Sequence, residues 1–244
     1  MIRRSGILIS VVLSSLVLAS SPALPWVHGT NNPYVFSPES KPYGFSLGEW
    51  NAKAWQRDFS ISAASDVEQD AGGNVQDSCA INQTGPVWFL TGTGSGGVEQ
   101  FVCTIPVGNA VLWSVLAGMC SYADTPNAKS DSELRSCAMS GNEGAIIEVS
   151  INGVKLEDID KYRVQSSPFN LTISEGNPYG ILPGPTTAVA DCWCIMIEPL
   201  PVGNHVLQST VSIPGNPTIG MSALASDHTY HLIVQEQQSE AIAP

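Results

Sequence analysis

The chain has 244 residues, and 22 acidic side chains against ten basic ones give a net charge of −12. That balance repels a phosphate backbone and sets nucleic acid aside as a partner. Low charge density with 22 Gly and 17 Pro fits an all-β exported domain with many turns.

Arg3 and Arg4 precede an apolar and small-residue run from Ile7 to Ala19 and then Ser-Ser-Pro-Ala-Leu-Pro. This charged, hydrophobic, small-residue order is that of a secretory signal peptide, assigned to residues 1–23. The run is short for a transmembrane helix, and no second long apolar stretch appears downstream. The mature chain is therefore expected outside the cytoplasmic membrane, secreted or in the cell envelope; a retained N-terminal anchor is the alternative. Loss of the leader takes Arg3 and Arg4 with it, leaving eight basic against 22 acidic residues, a net of −14.

Residues 24–44, rich in Pro and Asn, read as an extended arm, and residues 45–244 as a single β-sandwich domain. Ser46 with Glu49 three residues later forms a capping box that opens a helix over Leu47 to Phe59, with Phe45 and Trp50 placed for a hydrophobic staple. Leu47, Trp50, Ala54, Trp55 and Phe59 take its apolar side, and Glu49, Lys53, Gln56 and Arg57 the other. Trp50 and Trp55 are read as core plugs rather than a sugar-stacking platform. From Pro86 to Pro106 the pattern predicts a β-hairpin with its tip in the Gly92 to Gly97 cluster. A buried strand follows over Asn109 to Cys120, then a short helix with a second capping box at Ser130 and Glu133. Asn152-Gly153 sets a hairpin turn, and further strands are expected at 162–165, 169–173, 192–200, 205–213 and 229–235. The expected architecture is an antiparallel β-sandwich, with a jelly roll as one topology, carrying a short N-terminal helix and an inserted one. Ile105 to Leu112 returns as Leu200 to Leu207, an echo that marks two equivalent sandwich corners.

Three constellations carry potential chemistry. Cys192 and Cys194 lie one residue apart in an apolar strand and share a face with Met196, a set that suits a soft metal such as copper(I), a thiol redox pair or structural disulfides. Asp66, Glu68, Asp70, Asn74 and Asp77 occupy positions 1, 3, 5, 9 and 12 of an EF-hand-like calcium loop, although Ala71 stands where glycine is required, so a solvated acidic loop is preferred. His228 and His231 fall on opposite faces of their strand. Asn82-Gln83-Thr84 and Asn170-Leu171-Thr172 are glycosylation sequons. No nucleophile elbow, HExxH or nucleotide fingerprint occurs. A carboxylate pair for glycoside cleavage is a matter of tertiary structure.

The segments PYGFSLGEWNAKAWQ, the block from Asp70 to Leu112 containing GPVWFLTGTGSGG, INGVKLEDIDKYRVQSSPF, and the closing LPVGNHVL and DHTYHLIV resemble an uncharacterised family of exported bacterial and archaeal proteins. It carries a G-E-W helix, a C…GPVWFL-G-T…C-x-x-P-x-G block and a final T-Y-H-L strand. The resemblance implies export and the fold but no activity. It also implies that Cys79 pairs with Cys103 and Cys120 with Cys137. Asp191, Cys192, Trp193 and Cys194 stand where the pattern has Asp-Gly-aromatic-aromatic. With the other four paired, Cys192 and Cys194 are left to each other. Their α-carbons are about 6.5 to 7 Å apart in a regular strand, so a bridge between them requires a bulge and should be the first to yield to mild reductant. The alternative is that they cross to Cys120 and Cys137. The leading functional reading is a non-catalytic protein that binds a protein or glycan partner at the cell surface or in the envelope. A copper-handling or thiol redox protein comes second and a carbohydrate-active hydrolase third.

Overall fold

The computed structural model describes residues 32, 34–61, 75–76, 78–90, 96–177, 179–215 and 220–236. In chain order these form α1 (Leu47–Ser60), β1 (Val75–Gln76), β2 (Val87–Phe89), β3 (Gly97–Pro106), β4 (Ala110–Ser121), α2 (Asp131–Ser140), β5 (Ile146–Ile151), β6 (Val154–Lys155), β7 (Arg163–Gln165), β8 (Phe169–Ile173), β9 (Gly184–Ile197), β10 (Gly203–Ile213) and β11 (Leu224–Gln235). One sheet has the order β1-β3-β11-β10-β5-β6. The other has β2-β4-β9-β7, with β8 also on β9. The expected β-sandwich with few helices is what forms. Among the described residues no helix is long and apolar enough to cross a membrane.

The pairing is mixed rather than purely antiparallel, because β1 with β3, β3 with β11 and β2 with β4 run parallel. Parallel neighbours cannot be joined by a tight turn, and the chain meets this by visiting the other sheet between them. The predicted hairpin over 86–106 is split for the same reason: β2 joins the five-stranded sheet and β3 the six-stranded one. The echoed segments are indeed equivalent corners. Val107 to Asn109 carry the chain from β3 in the larger sheet to β4 in the smaller, and the second copy carries it back from β9 to β10. Each turns on a glycine at positive φ, Gly108 at 91° and Gly203 at 144°, a conformation that costs glycine little. The Asn152-Gly153 turn joins β5 to β6 as expected, both residues lying at positive φ.

The alternation along β3, β10 and β11 sends Phe101, Cys103, Ile105, Leu207, Val211, Tyr230, Leu232 and Val234 into the core. Phe101 stacks on Tyr230 at 4.5 Å, and Trp113 of β4 meets Tyr230 edge-on at 5.7 Å. This joins the two sheets. The smaller sheet has helices as its other partners. α1 packs on β9, β8, β7 and β4, and α2 on β9 and β4. Both approaches need a missing side chain: a Cβ on Gly48 would lie 2.3 Å from the Gln165 carbonyl oxygen, and one on Gly118 would lie 2.5 Å from that of Ala138.

The capping box of α1 is complete, and Phe45 sits edge-on to Trp50 at 5.4 Å. At α2, Ser130 accepts from the Glu133 N–H, but the Glu133 carboxylate accepts from the Lys129 N–H instead of closing the box on Ser130. The end of the arm is extended over the domain: the Phe36 N–H donates to the Met196 carbonyl and the Glu198 N–H to that of Tyr34. Val35 and Phe36 are buried there.

Candidate functional site

All six cysteines are paired, Cys79 with Cys103, Cys120 with Cys137 and Cys192 with Cys194. The α-carbons of Cys192 and Cys194 are 5.3 Å apart, shorter than the regular strand repeat. The expected bulge falls on the neighbour rather than on β9. Ser114 pairs with Cys194 and Leu116 with Trp193, leaving Val115 as the extra residue. β9 is held in register on its other side, where Arg163, Val164 and Gln165 face Trp193, Cys192 and Asp191, so the misfit passes to β4.

Cys192, Cys194 and Met196 share one face, as the spacing requires, and all three are fully buried in the core. Bonded sulfurs offer no thiolate to copper, and among the described residues no group of three or more His, Cys, Asp or Glu is arranged to hold a metal ion. Burial argues for a different order of reduction from the one expected. Cys120 and Cys137 lie nearer the surface than Cys192 and Cys194, and reductant must reach a sulfur before strain can matter. Asp66, Glu68, Asp70, Asn74 and Asp77 lie outside the described residues. His228 is buried and His231 exposed, on opposite faces as expected.

The other face of this strand holds a buried ion pair. The Asp191 carboxylate accepts from Arg163 Nη2 at 2.9 Å and Nε at 3.1 Å, and from Asn142 Nδ2 at 2.9 Å. The Arg163 guanidinium lies 4.5 Å above the Trp193 ring. Arg135 of α2 donates to Gln165 Oε1 and to the Ser166 carbonyl. This network ties α2 to the sheet, and its members are committed to one another.

The accessible constellation is elsewhere. Along the flank of α1 runs a groove of about 510 Å³ lined by Trp50, Lys53, Gln56, Arg57, Ser60, Asn82, Thr84 and Phe89. Trp50 is nearly buried, as the core reading of this residue requires, with its indole N–H donating to the Pro42 carbonyl at 2.9 Å. Arg57, expected on the solvent side, turns inward instead. Its Nε and Nη2 donate to the Ile81 carbonyl at 3.0 and 2.7 Å, and Nη1 donates to Asp58. That clamp fixes the 78–85 segment against the helix and brings Asn82 and Thr84 to the groove. Gln83 secures the same segment from within, bonding the Cys79 and Phe89 carbonyls and the Phe89 N–H. Gln56, Ser60, Asn82 and Thr84 are exposed. The Lys53 ammonium stands 4.2 Å from the Phe45 ring centroid and 5.8 Å from that of Trp50. Burial pushes the Asp58 carboxyl up to about 6, partly offset by Arg57. Sequence reasoning named the helix, and Asn82 and Thr84 as part of a sequon, but missed the groove, since Asn82, Thr84 and Phe89 reach α1 only through tertiary contacts.

Beyond the C-terminal turn of α1, Asn177 bonds the Ser174 and Ile181 carbonyls and accepts from the Tyr179 and Ile181 N–H groups. The loop it organises displays Tyr179 and Leu182, with Tyr179 packed on Phe59 at 4.8 Å and Trp55 at 5.8 Å. A shallow cleft of about 240 Å³ on the open face of the larger sheet carries Glu148 and Asp227, with Glu148 paired to Lys155 at 2.6 Å.

The chain matches no protein-family model and no curated protein. Among solved structures it is similar to a chain of the complex described as "Structure of PbICP-C in complex with falcipain-2", at 10% identity, covering 62% of this chain and 100% of that one with a TM-score of 0.24. A score that low carries no argument about fold or function.

Proposed function

We propose that the chain is a non-catalytic binding protein acting outside the cytoplasmic membrane, and that the groove along α1 takes a saccharide. One observation carries this. Trp50 and Phe89 form an apolar wall beside the amides of Gln56 and Asn82 and the hydroxyls of Ser60 and Thr84, with no carboxylate among the described residues that line it. A ring edge next to fixed neutral hydrogen-bonding groups suits a sugar, which is apolar on its C–H faces and polar around its rim. Glycoside cleavage usually needs two carboxyl groups across the bond, and none of the described lining residues supplies one. Export is supported by the order of the leader and by three disulfides, which persist in oxidising compartments.

The test is titration of the purified protein with a panel of oligosaccharides, followed by calorimetry and by assay of released sugar. Saturable binding without product, weakened in Gln56→Ala and Thr84→Ala, is the expected result. Turnover, or binding that ignores both substitutions, refutes the assignment. A second reading, a protein partner, is favoured by Tyr179 and Leu182, which are 48% and 80% exposed on a loop fixed by Asn177. Outward apolar side chains on a rigid loop suit a protein interface. Tyr179→Ala with Leu182→Ser should leave saccharide binding intact and separates the two readings.

A further inference from the structure

The groove departs from the electrostatic character of the rest of the chain. The molecule carries 22 acidic residues against ten basic ones, yet the described lining of the groove along α1 contains Lys53 and Arg57 and no acid. The Arg57 guanidinium is turned onto Ile81 and Asp58. Lys53 is different: it makes no ion pair with a described residue and rests against the faces of Phe45 and Trp50. Glu49, one turn before it, is engaged by the Ser46 backbone and hydroxyl in the capping box, and Asp58 is bonded to Arg57. The ammonium is thus aimed by two aromatic rings, with Glu49 exerting a charge attraction on it but making its hydrogen bonds to Ser46.

We propose that the saccharide taken by this groove is anionic, a uronate-type sugar whose carboxylate meets Lys53 while its ring lies along the Trp50 and Phe89 wall. The inference rests on the saccharide reading above. The net charge of the molecule does not oppose it at close range. Screening at physiological salt reduces charges more than about 8 Å away, so the local lining decides. A short oligouronide suits the site better than a long polyanion, which the net charge of −12 on the chain opposes.

The experiment compares trigalacturonate with neutral cellotriose by calorimetry, in wild type and in Lys53→Gln. At about 50 mM salt the uronide should bind about tenfold more tightly than the neutral sugar, the worth of one well-placed charge. That advantage should vanish in Lys53→Gln and fall in about 0.5 M salt, with the melting temperature of the variant unchanged. Equal affinity for both sugars, or a uronide preference that survives Lys53→Gln, overturns the charge assignment and leaves the saccharide reading standing. Failure of both sugars to bind overturns the two together.

Discussion

α1 separates two regions of opposite character. On the face that it turns to the smaller sheet lies the Cys192, Cys194 and Met196 segment, fully buried and bonded within itself. On its flank lies the groove, whose exposed members are two amides and two hydroxyls beside a half-buried lysine. The most reactive residue types in the chain are spent on packing, while binding capacity rests on side chains that no catalytic or metal motif marks. Reactivity depends on access as much as on residue type, and access is decided by which elements the fold stacks together.

The comparison breaks most readily at Trp50, which belongs to both regions. Trp50→Ala should destabilise the protein by about 3–5 kcal/mol in denaturant unfolding, because it removes a buried ring and leaves a cavity. An unchanged unfolding midpoint would mean that α1 is not fixed by this residue and that the groove wall is not rigid.

The disulfides come next. Replacing Cys79 and Cys103 by Ala should cost about 3.5 kcal/mol from loop entropy, and replacing Cys192 and Cys194 only about 1.5 kcal/mol, since their closed loop is so short. Under mild reductant, alkylation mapping should find Cys120 and Cys137 modified first and Cys192 and Cys194 last. Early opening of the Cys192–Cys194 bond would restore it as a redox element and dissolve the contrast between the regions.

A smaller effect is expected from Asp58. Its folded pKa is raised to about 6 from an ordinary value of 3.8, so the folded state holds more protons than the unfolded one between those values. Its contribution to stability is therefore present at low pH and lost as pH rises through that window. The stability of Asp58→Asn relative to wild type should climb between pH 4 and 7, read as the difference between two urea midpoint series. A flat difference would mean that the solvent reaching this one-third exposed side chain cancels the shift. Smallest of all, Gln56→Ala should cost about 1 kcal/mol or less, since it removes the exposed bond from Nε2 to the Asn170 carbonyl at 2.8 Å, while still weakening saccharide binding.

Local signals were readable in the sequence and long-range partners were not. The Ser46 and Glu49 cap, the Asn152-Gly153 turn and the two Pro-Val-Gly-Asn corners act within a few residues, so spacing alone specifies them. The disulfide pairs followed from a resemblance and not from spacing. The glycines after β2 read locally as a hairpin tip, because a turn signal does not say which sheet the next strand joins. The parallel pairing of β3 with β11 joins Phe101 to Tyr230, a separation no periodicity reveals. Arg57 was assigned to the wet side of α1 on helical phase; the carbonyl of Ile81, supplied by another segment, draws it inward. That same contact brings Asn82 and Thr84 to the groove, which is why the groove was not legible beforehand.

The two ends of the described chain are fastened in mechanically different ways. β11 is sheared between β10 and β3 along its whole length. The arm is held on β9 by the Phe36 to Met196 and Glu198 to Tyr34 backbone bonds, with Asn32 bonded to the Glu157 backbone beyond them. A force pulling the ends apart therefore meets a long ladder loaded in parallel at one side and a short fastening at the other, and the arm peels first. The next attachment along the chain is the Pro42 carbonyl that holds the Trp50 indole. Tension on the N-terminal side reaches the wall of the groove before it reaches the sandwich.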